Sequence, residues 1–223
     1  MTQRSIPVSE LGISLDTIWA ESGSKGFLPD ETSSAILKDV YEEICRRCFP
    51  EYCCLVFRNT GYTDTSIEID GKFFHTGGKI AEYLCDAEYF VVYIATAGAG
   101  FEEYRKELDE SDDFVRAFMA DMIGSAIAEK IGIRAYKDIE AEQSASGMKL
   151  SFSYSPGQCG WPVSDQKTLF SLFPSAPCGV ILTDSCLMLP VKSVSSVAGV
   201  GRNLRKRQSS CAMCTLEGCF RKK

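Results

Sequence analysis

The sequence predicts an α+β fold, a mixed or antiparallel twisted sheet with flanking helices. Two observations carry this. A β-branched and aromatic run from Tyr89 to Thr96 has the composition of a buried strand. Around it, segments with a helical apolar period alternate irregularly with segments of period two, and no internal repeat is present.

The elements follow in order. Residues 4–19 place Ile6, Val8, Leu11, Ile13, Leu15 and Ile18 at near-alternating spacing, which predicts a strand with a turn at Gly12. Pro29-Asp30 opens a helix whose Ile36, Leu37, Val40, Tyr41, Ile44 and Cys45 share one face, and Pro50 ends it. Cys53 to Arg58 and Thr65 to Ile69 are expected strands, with Gly71 turning the second into Lys72-Phe73-Phe74. A short helix is expected over 79–86, and a charged one from Phe101 to Leu108 after the strand of Tyr89. Ser111-Asp112-Asp113 is an N-cap signal. The helix after it is expected to pack Phe114, Phe118, Met122, Ile123, Ala126 and Ile127 on one face, with Gly124 and its small neighbours marking a close approach. Residues 134–149 are polar and carry a weaker pattern. Leu150 to Tyr154 is a strand, Ser164 an expected cap for a helix with Leu169, Phe170, Leu172 and Phe173, and Gly179 to Thr183 and Lys192 to Val200 are strands.

With 45% hydrophobic and 24% charged residues the chain has the balance of a globular protein, and its 223 residues suffice for a full core. No apolar run approaches the roughly 18 residues that span a bilayer, and Met1 to Glu10 lacks the pattern of a signal peptide. The 11 cysteines are odd in number and mostly sit in apolar segments, as small hydrophobes do in a reducing compartment. These features predict a cytoplasmic protein. The net charge of −6 is uneven: residues 202–223 hold seven Lys/Arg and one acid, so residues 1–201 are strongly acidic. A basic tail of this kind suits nucleic acid, an acidic partner or the protein's own body. The acidic body argues against a phosphate backbone, so no nucleic-acid partner is expected. The domain boundary is placed at Gly201: residues 1–200 form the domain and 201–223 a basic, Cys-rich tail.

Most enzyme templates are missing. The single histidine, His75, has no motif around it and is read as a structural or surface residue before a helix. There is no HExxH and no P-loop, and Gly98-Ala99-Gly100 lacks the third glycine of a dinucleotide loop, so it is read as a turn. Glu102-Glu103 and Asp112-Asp113 lie at helix starts, where they favour the dipole and water.

Residues 153–200 are different. The strand ending in Ser153 and Tyr154 enters Ser155-Pro156-Gly157-Gln158, a turn that leaves backbone groups open to a ligand. Trp161-Pro162 follows as an aromatic lid. Thr183 and Ser185 end a later strand with small hydroxyls, and Pro190 precedes the serine-rich Ser193, Ser195 and Ser196. By themselves these residues make either a polar groove or ordinary loop chemistry.

Ser155-Pro156-Gly157, the spaced Pro162, Gln166-Lys167 and the run Leu182-Thr183-x-Ser185-x-x-Met188-x-Pro190-x-x-Ser193-Val194-Ser195 resemble the activation domain of cobalamin-dependent methionine synthase. Asp112-Asp113 and the long helix after it resemble that family too. The resemblance covers roughly residues 75–200. It implies a C-shaped domain that binds S-adenosylmethionine, docks on a cobalamin-binding methyltransferase module and allows reductive methylation of inactive cobalamin, with an electron from a flavodoxin-like donor. It implies cofactor contacts at Ser153, Tyr154, Ser155, Pro156, Gly157, Gln158, Thr183, Ser185 and Ser125. Three of these depart from the family's pattern. Ser153 stands in place of an arginine, Gln158 in place of a tyrosine, and Ser125 in place of a glutamate suited to an ammonium group. A guanidinium clamps a carboxylate through two parallel hydrogen bonds and a hydroxyl does not.

Cys211-x-x-Cys214-x-x-x-x-Cys219 has the short spacing of thiolates that bind Zn²⁺ or an iron–sulfur cluster, and the basic residues nearby favour the thiolate. The alternatives are a tail with incidental thiols or a Cys211–Cys214 disulfide. A metal there needs a fourth ligand from another Cys, His75, a partner or an exogenous group. Cys45, Cys48, Cys53 and Cys54 are read as packing residues.

The expected function is therefore a stand-alone reactivation protein for a cobalamin-dependent methyltransferase, working with S-adenosylmethionine and contacting no membrane. The alternative is a non-enzymatic module that has lost S-adenosylmethionine and docks a corrinoid protein, an electron donor or a metal through its tail. A third reading is an enzyme using a metal held by the tail.

Overall fold

The computed structural model describes residues 1–21 and 29–213. Its centre is strand β5 (Tyr89–Thr96), which pairs along its whole length with two antiparallel neighbours. On one side lies β2 (Glu51–Tyr62), in register from Glu51↔Thr96 to Arg58↔Tyr89. On the other lies β9 (Ser193–Gly201), from Tyr89↔Val200 to Thr96↔Ser193. Beyond β9 runs β6 (Lys149–Tyr154). The far edge of β2 is shared: its first half pairs with β1 (Thr2–Ser5), its second half with β3 (Ile67–Ile69), and β3 pairs with β4 (Lys72–Phe74). Every pairing is antiparallel, which resolves the predicted mixed or antiparallel sheet.

Both faces of this sheet are covered, which explains why β5 is a continuous apolar run. Val91, Tyr93 and Ala95 enter one core cluster; Phe90, Val92 and Ile94 enter the other. The first cluster is closed by α1 (Leu15–Glu21), α2 (Glu31–Arg47), α4 (Ala99–Glu110) and α5 (Phe114–Ala145). The second is closed by α3 (Gly78–Leu84), α6 (Asp165–Phe170) and the segment 172–180. Cys48, Cys53 and Cys54 are buried in these clusters and Cys45 packs against the first, as the apolar pattern predicts.

Helix starts follow simple chemistry. Asp30 Oδ1 accepts from the N–H of Ser33 at 2.7 Å, and Asp113 Oδ1 from that of Arg116 at 3.0 Å, each satisfying a donor the helix cannot. Ser164 makes no such bond; α6 begins instead with the carboxylate of Asp165.

Three further expectations are corrected. Residues 15–21 form a helix, because Leu15, Ile18 and Trp19 fit a 3.6-residue period as well as the alternation. Helix α5 runs on to Ala145, because Ala135 and Ile139 continue the buried stripe of Ile127 and Ile131. At its start, Phe114 and Phe118 face solvent, 74% and 55% exposed. The buried face there is built from Ala117, Ala120, Ile123 and Gly124. Small residues win it because the Phe101 ring of α4 lies directly on Gly124, where an added Cβ would stand 2.2 Å from Phe101 Cζ.

Gly124→Ala is therefore expected to destabilise the fold by about 1–3 kcal/mol through overpacking, despite a better helix propensity. A denaturant melt with an unchanged midpoint would refute this contact.

Candidate functional site

Strand β6 is the edge strand beside β9, and its end delivers the chain into the turn of Ser155. Between Leu150 and Ser153 the ladder shifts by one residue, and Ser151 Oγ fills the gap by accepting from Gly199 N–H at 2.8 Å. The bulge re-aims the strand end. Ser153 is half-buried, beside Tyr93, whose phenol pKa burial pushes up while the neighbouring Ser153 and Ser196 hydroxyls act the other way. Tyr154 is fully buried; its hydroxyl donates to the carbonyl of Gln208 at 2.8 Å.

The turn itself is tight. Gln158 N–H reaches Ser155 O at 3.1 Å, Trp161 N–H reaches Gln158 O at 2.9 Å, and Gly157 N–H reaches Trp161 O at 2.8 Å. Gly157 sits at φ +91, a conformation that L side chains rarely adopt. Pro156 is buried, whereas Gly157, Gln158, Cys159 and Gly160 are exposed. Ser155 Oγ lies 2.6 Å from Ser195 O and 3.0 Å from Ser196 Oγ, so the turn is pinned to β9. Ser195 Oγ donates in turn to the buried Gln166 Oε1 at 2.8 Å, and Ser193 Oγ lies 2.8 Å from Thr96 Oγ1. The serine-rich strand thus spends its hydroxyls on the protein. Among the described residues no buried side-chain nitrogen or oxygen lacks a partner.

Trp161 is an anchor, not a lid. It is 1% exposed, meets Phe74 edge-on with ring centroids 6.1 Å apart, and donates its Nε1–H to Asp165 Oδ2 at 2.9 Å. The same carboxylate accepts the backbone N–H of His75 at 2.6 Å, and His75 Nδ1 lies 3.3 Å from Asp165 Oδ1. Asp165 therefore ties the end of β4, the turn and α6 together. Sequence reasoning missed it because an acid at a helix start has a sufficient local explanation.

The other predicted residues lie apart from the turn. Thr183 and Ser185 form the tip of a hairpin between β7 (Ile181–Leu182) and β8 (Met188–Leu189). Their hydroxyls are 3.0 Å from each other, and Thr183 Oγ1 accepts Leu187 N–H. Ser125 lies on α5 beside Lys192, whose ammonium is 2.9 Å from Ser125 Oγ and 2.7 Å from Asp121 Oδ1. Lys192 is only 15% exposed. At the position where the family resemblance puts a partner for a ligand's ammonium, the fold supplies an ammonium of its own.

Basic residues after Gly201 turn back onto the body. Leu204 is buried in the second cluster, and Lys206 Nζ pairs with Glu140 at 2.9 Å over the rings of Tyr136 and Phe152. A short helix α7 (Ser210–Met213) follows, with Met213 against the same cluster. Cys214 and Cys219 lie outside the described residues. Among the described residues no three His, Cys, Asp or Glu side chains converge as metal ligands, and no helix is long and apolar enough to cross a membrane. Two surface concavities, one of about 270 Å³ beside Leu55 and Glu142 and one beside Ile13 and Glu129, do not include the turn.

An antiparallel sheet covered on both faces, with a Pro-Gly turn pinned at its edge, defines the class: an α+β domain. The fold matches the crystal structure of the MetH reactivation domain bound to AdoHcy, with a TM-score of 0.68, 15% sequence identity, and coverage of 94% of this chain and 80% of that one. The model of the family described as vitamin B12 dependent methionine synthase, activation domain, matches residues 80–205. The chain belongs to that family.

Asp165→Ala is expected to leave the Trp161 and His75 N–H groups without an acceptor and to cost about 1–3 kcal/mol for each. A chain of unchanged stability and tryptophan fluorescence would show that the carboxylate does not organise this corner.

Proposed function

We propose that this chain reactivates a cobalamin-dependent methyltransferase in trans, supporting reductive methylation of its corrinoid by S-adenosylmethionine with an electron from a flavodoxin-like donor. One observation carries the reading: the Ser155-Pro156-Gly157 turn is present, pinned to β9 through Ser155 and exposed at Gly157, inside the span that the family matches. Gly157 and Gln158 are exposed, and their N–H groups are held within the turn, so they would offer the nucleoside end of S-adenosylmethionine a fixed surface for contact. The family neighbour whose crystal structure holds AdoHcy supports the same ligand class. The amino-acid end fits less well: no guanidinium stands at Ser153, and Lys192 occupies the place beside Ser125 and Asp121. The domain of residues 1–200 would supply orientation, and the partner's corrinoid the reactive metal. A cytoplasmic location agrees with Cys48, Cys53, Cys54 and Cys178, buried among apolar side chains as thiols.

Lys192 favours the second reading, a binding module that has lost S-adenosylmethionine and docks a corrinoid protein or electron donor. Calorimetry separates the two. Under the first, S-adenosylmethionine gives saturable heat, and Lys192→Ala tightens binding roughly fivefold by freeing Asp121 for the ligand's ammonium, a gain of about 1 kcal/mol. Absence of heat in both proteins would establish the second.

The decisive assay adds the chain, S-adenosylmethionine and a reductant to a methyltransferase held as cob(II)alamin. Return of the methylcobalamin spectrum is expected. A spectrum that stays unchanged with every component present would refute the reactivation role.

A further inference from the structure

Four cations and no acid occupy residues 202–208, and the reactivation role uses none of them. The segment is held to the body at several points. Arg202 N–H donates to Glu88 Oε1 at 2.7 Å, Leu204 is buried in the second cluster, and Lys206 Nζ pairs with Glu140. Gln208 is held twice, its carbonyl by the Tyr154 hydroxyl at 2.8 Å and its Oε1 by the Tyr83 hydroxyl at 3.2 Å. The anchors Leu204, Lys206 and Gln208 are two residues apart. Arg205 and Arg207 fall between them, and both are exposed. Lys149, exposed on the edge strand β6, is in register with Gly201 and so stands beside Arg202.

This placement is unfavourable for the chain alone. Like charges a few residues apart repel. The body is strongly acidic and offers many carboxylates, yet of the four cations only Lys206 takes one. Among the described residues no ion pair involves Lys149, Arg202, Arg205 or Arg207. We infer that these four residues form a docking surface for a carboxylate-rich face of another protein. A guanidinium matches a carboxylate with two parallel hydrogen bonds. A backbone already anchored on both sides of Arg205 and Arg207 lowers the ordering cost of making them.

The sign of the patch selects an anionic partner, and its extent selects the kind. Double-stranded DNA carries one charge per about 1.7 Å of axis, so a nucleic acid would run past four cations onto the acidic body. A local cluster of carboxylates on a folded protein ends where the patch ends. Arg207 and Gln208 lie beyond residues 80–205, the span that the family matches, so the outer part of the strip is a feature of this chain. The readout is binding of charge and involves no corrinoid, so this inference stands or falls separately from the reactivation role.

The test titrates a fluorescein-labelled decaglutamate peptide with the full chain, followed by anisotropy at about 20 mM salt, where a Debye length of roughly 20 Å leaves surface charge effective. Saturable binding is expected, weakened at least tenfold in the double variant Arg205→Glu/Arg207→Glu. The double variant Lys38→Glu/Lys106→Glu changes the net charge equally at exposed sites elsewhere and should keep the wild-type affinity. A labelled decathymidylate strand should bind more weakly than the peptide. A second measurement needs no variant: the peptide should slow modification of Arg205 and Arg207 by phenylglyoxal, read by mass spectrometry. No binding of the peptide, equal loss of affinity in the two double variants, tighter binding of decathymidylate, or Arg205 and Arg207 modified equally fast with and without peptide would overturn the assignment.

Discussion

Strand β5 is the constraint on which the rest depends. All eight of its residues are paired on both sides, and all but Tyr89 are buried. A strand covered on both faces needs two apolar layers, and the molecule is arranged to supply them. The helical layer is the larger. Its long helix α5 meets α4 closely where the stripe is small, and the Phe101 ring fills what Gly124 leaves open. Aromatic residues at the start of that helix are turned out in consequence.

The opposite layer is thinner, made of short helices and loops, and it holds its shape by polar ties as much as by area. Asp165 is the chief of these. A buried carboxylate is costly unless its oxygens are bonded, and here two N–H donors from separate segments meet it. The result is that the turn after β6 is fixed at both ends, by Asp165 through Trp161 and by β9 through Ser155. A turn held in this way keeps its exposed backbone in one geometry, which is what recognition of a ligand or partner requires.

Much of this was legible in the residues. Tyr89 to Thr96, the helix after Asp30, the Gly71 hairpin and the strand of Leu150 to Tyr154 follow from period and turn chemistry, because each signal is local. The exceptions share a cause. Leu15, Ile18 and Trp19 satisfy two periods at once, and only packing on α5 chooses the helix. The faces of Phe114 and Phe118 depended on how close α4 comes to Gly124, a distance no local pattern contains. Trp161 had the composition of a lid and is a buried anchor, since its indole N–H finds Asp165.

The site divides along the same line. By itself the sequence determined the family, the Ser155-Pro156-Gly157 turn and the clustered tail cysteines. Each is a matter of residue type and spacing. Only the tertiary structure decided which groups meet: the Lys192 ammonium beside Asp121 and Ser125, the Asp165 carboxylate under Trp161, and the Lys206 ammonium against Glu140. These pairs are brought together by sheet pairing and by the return of the chain after Gly201, and long-range contacts leave no periodicity in a sequence.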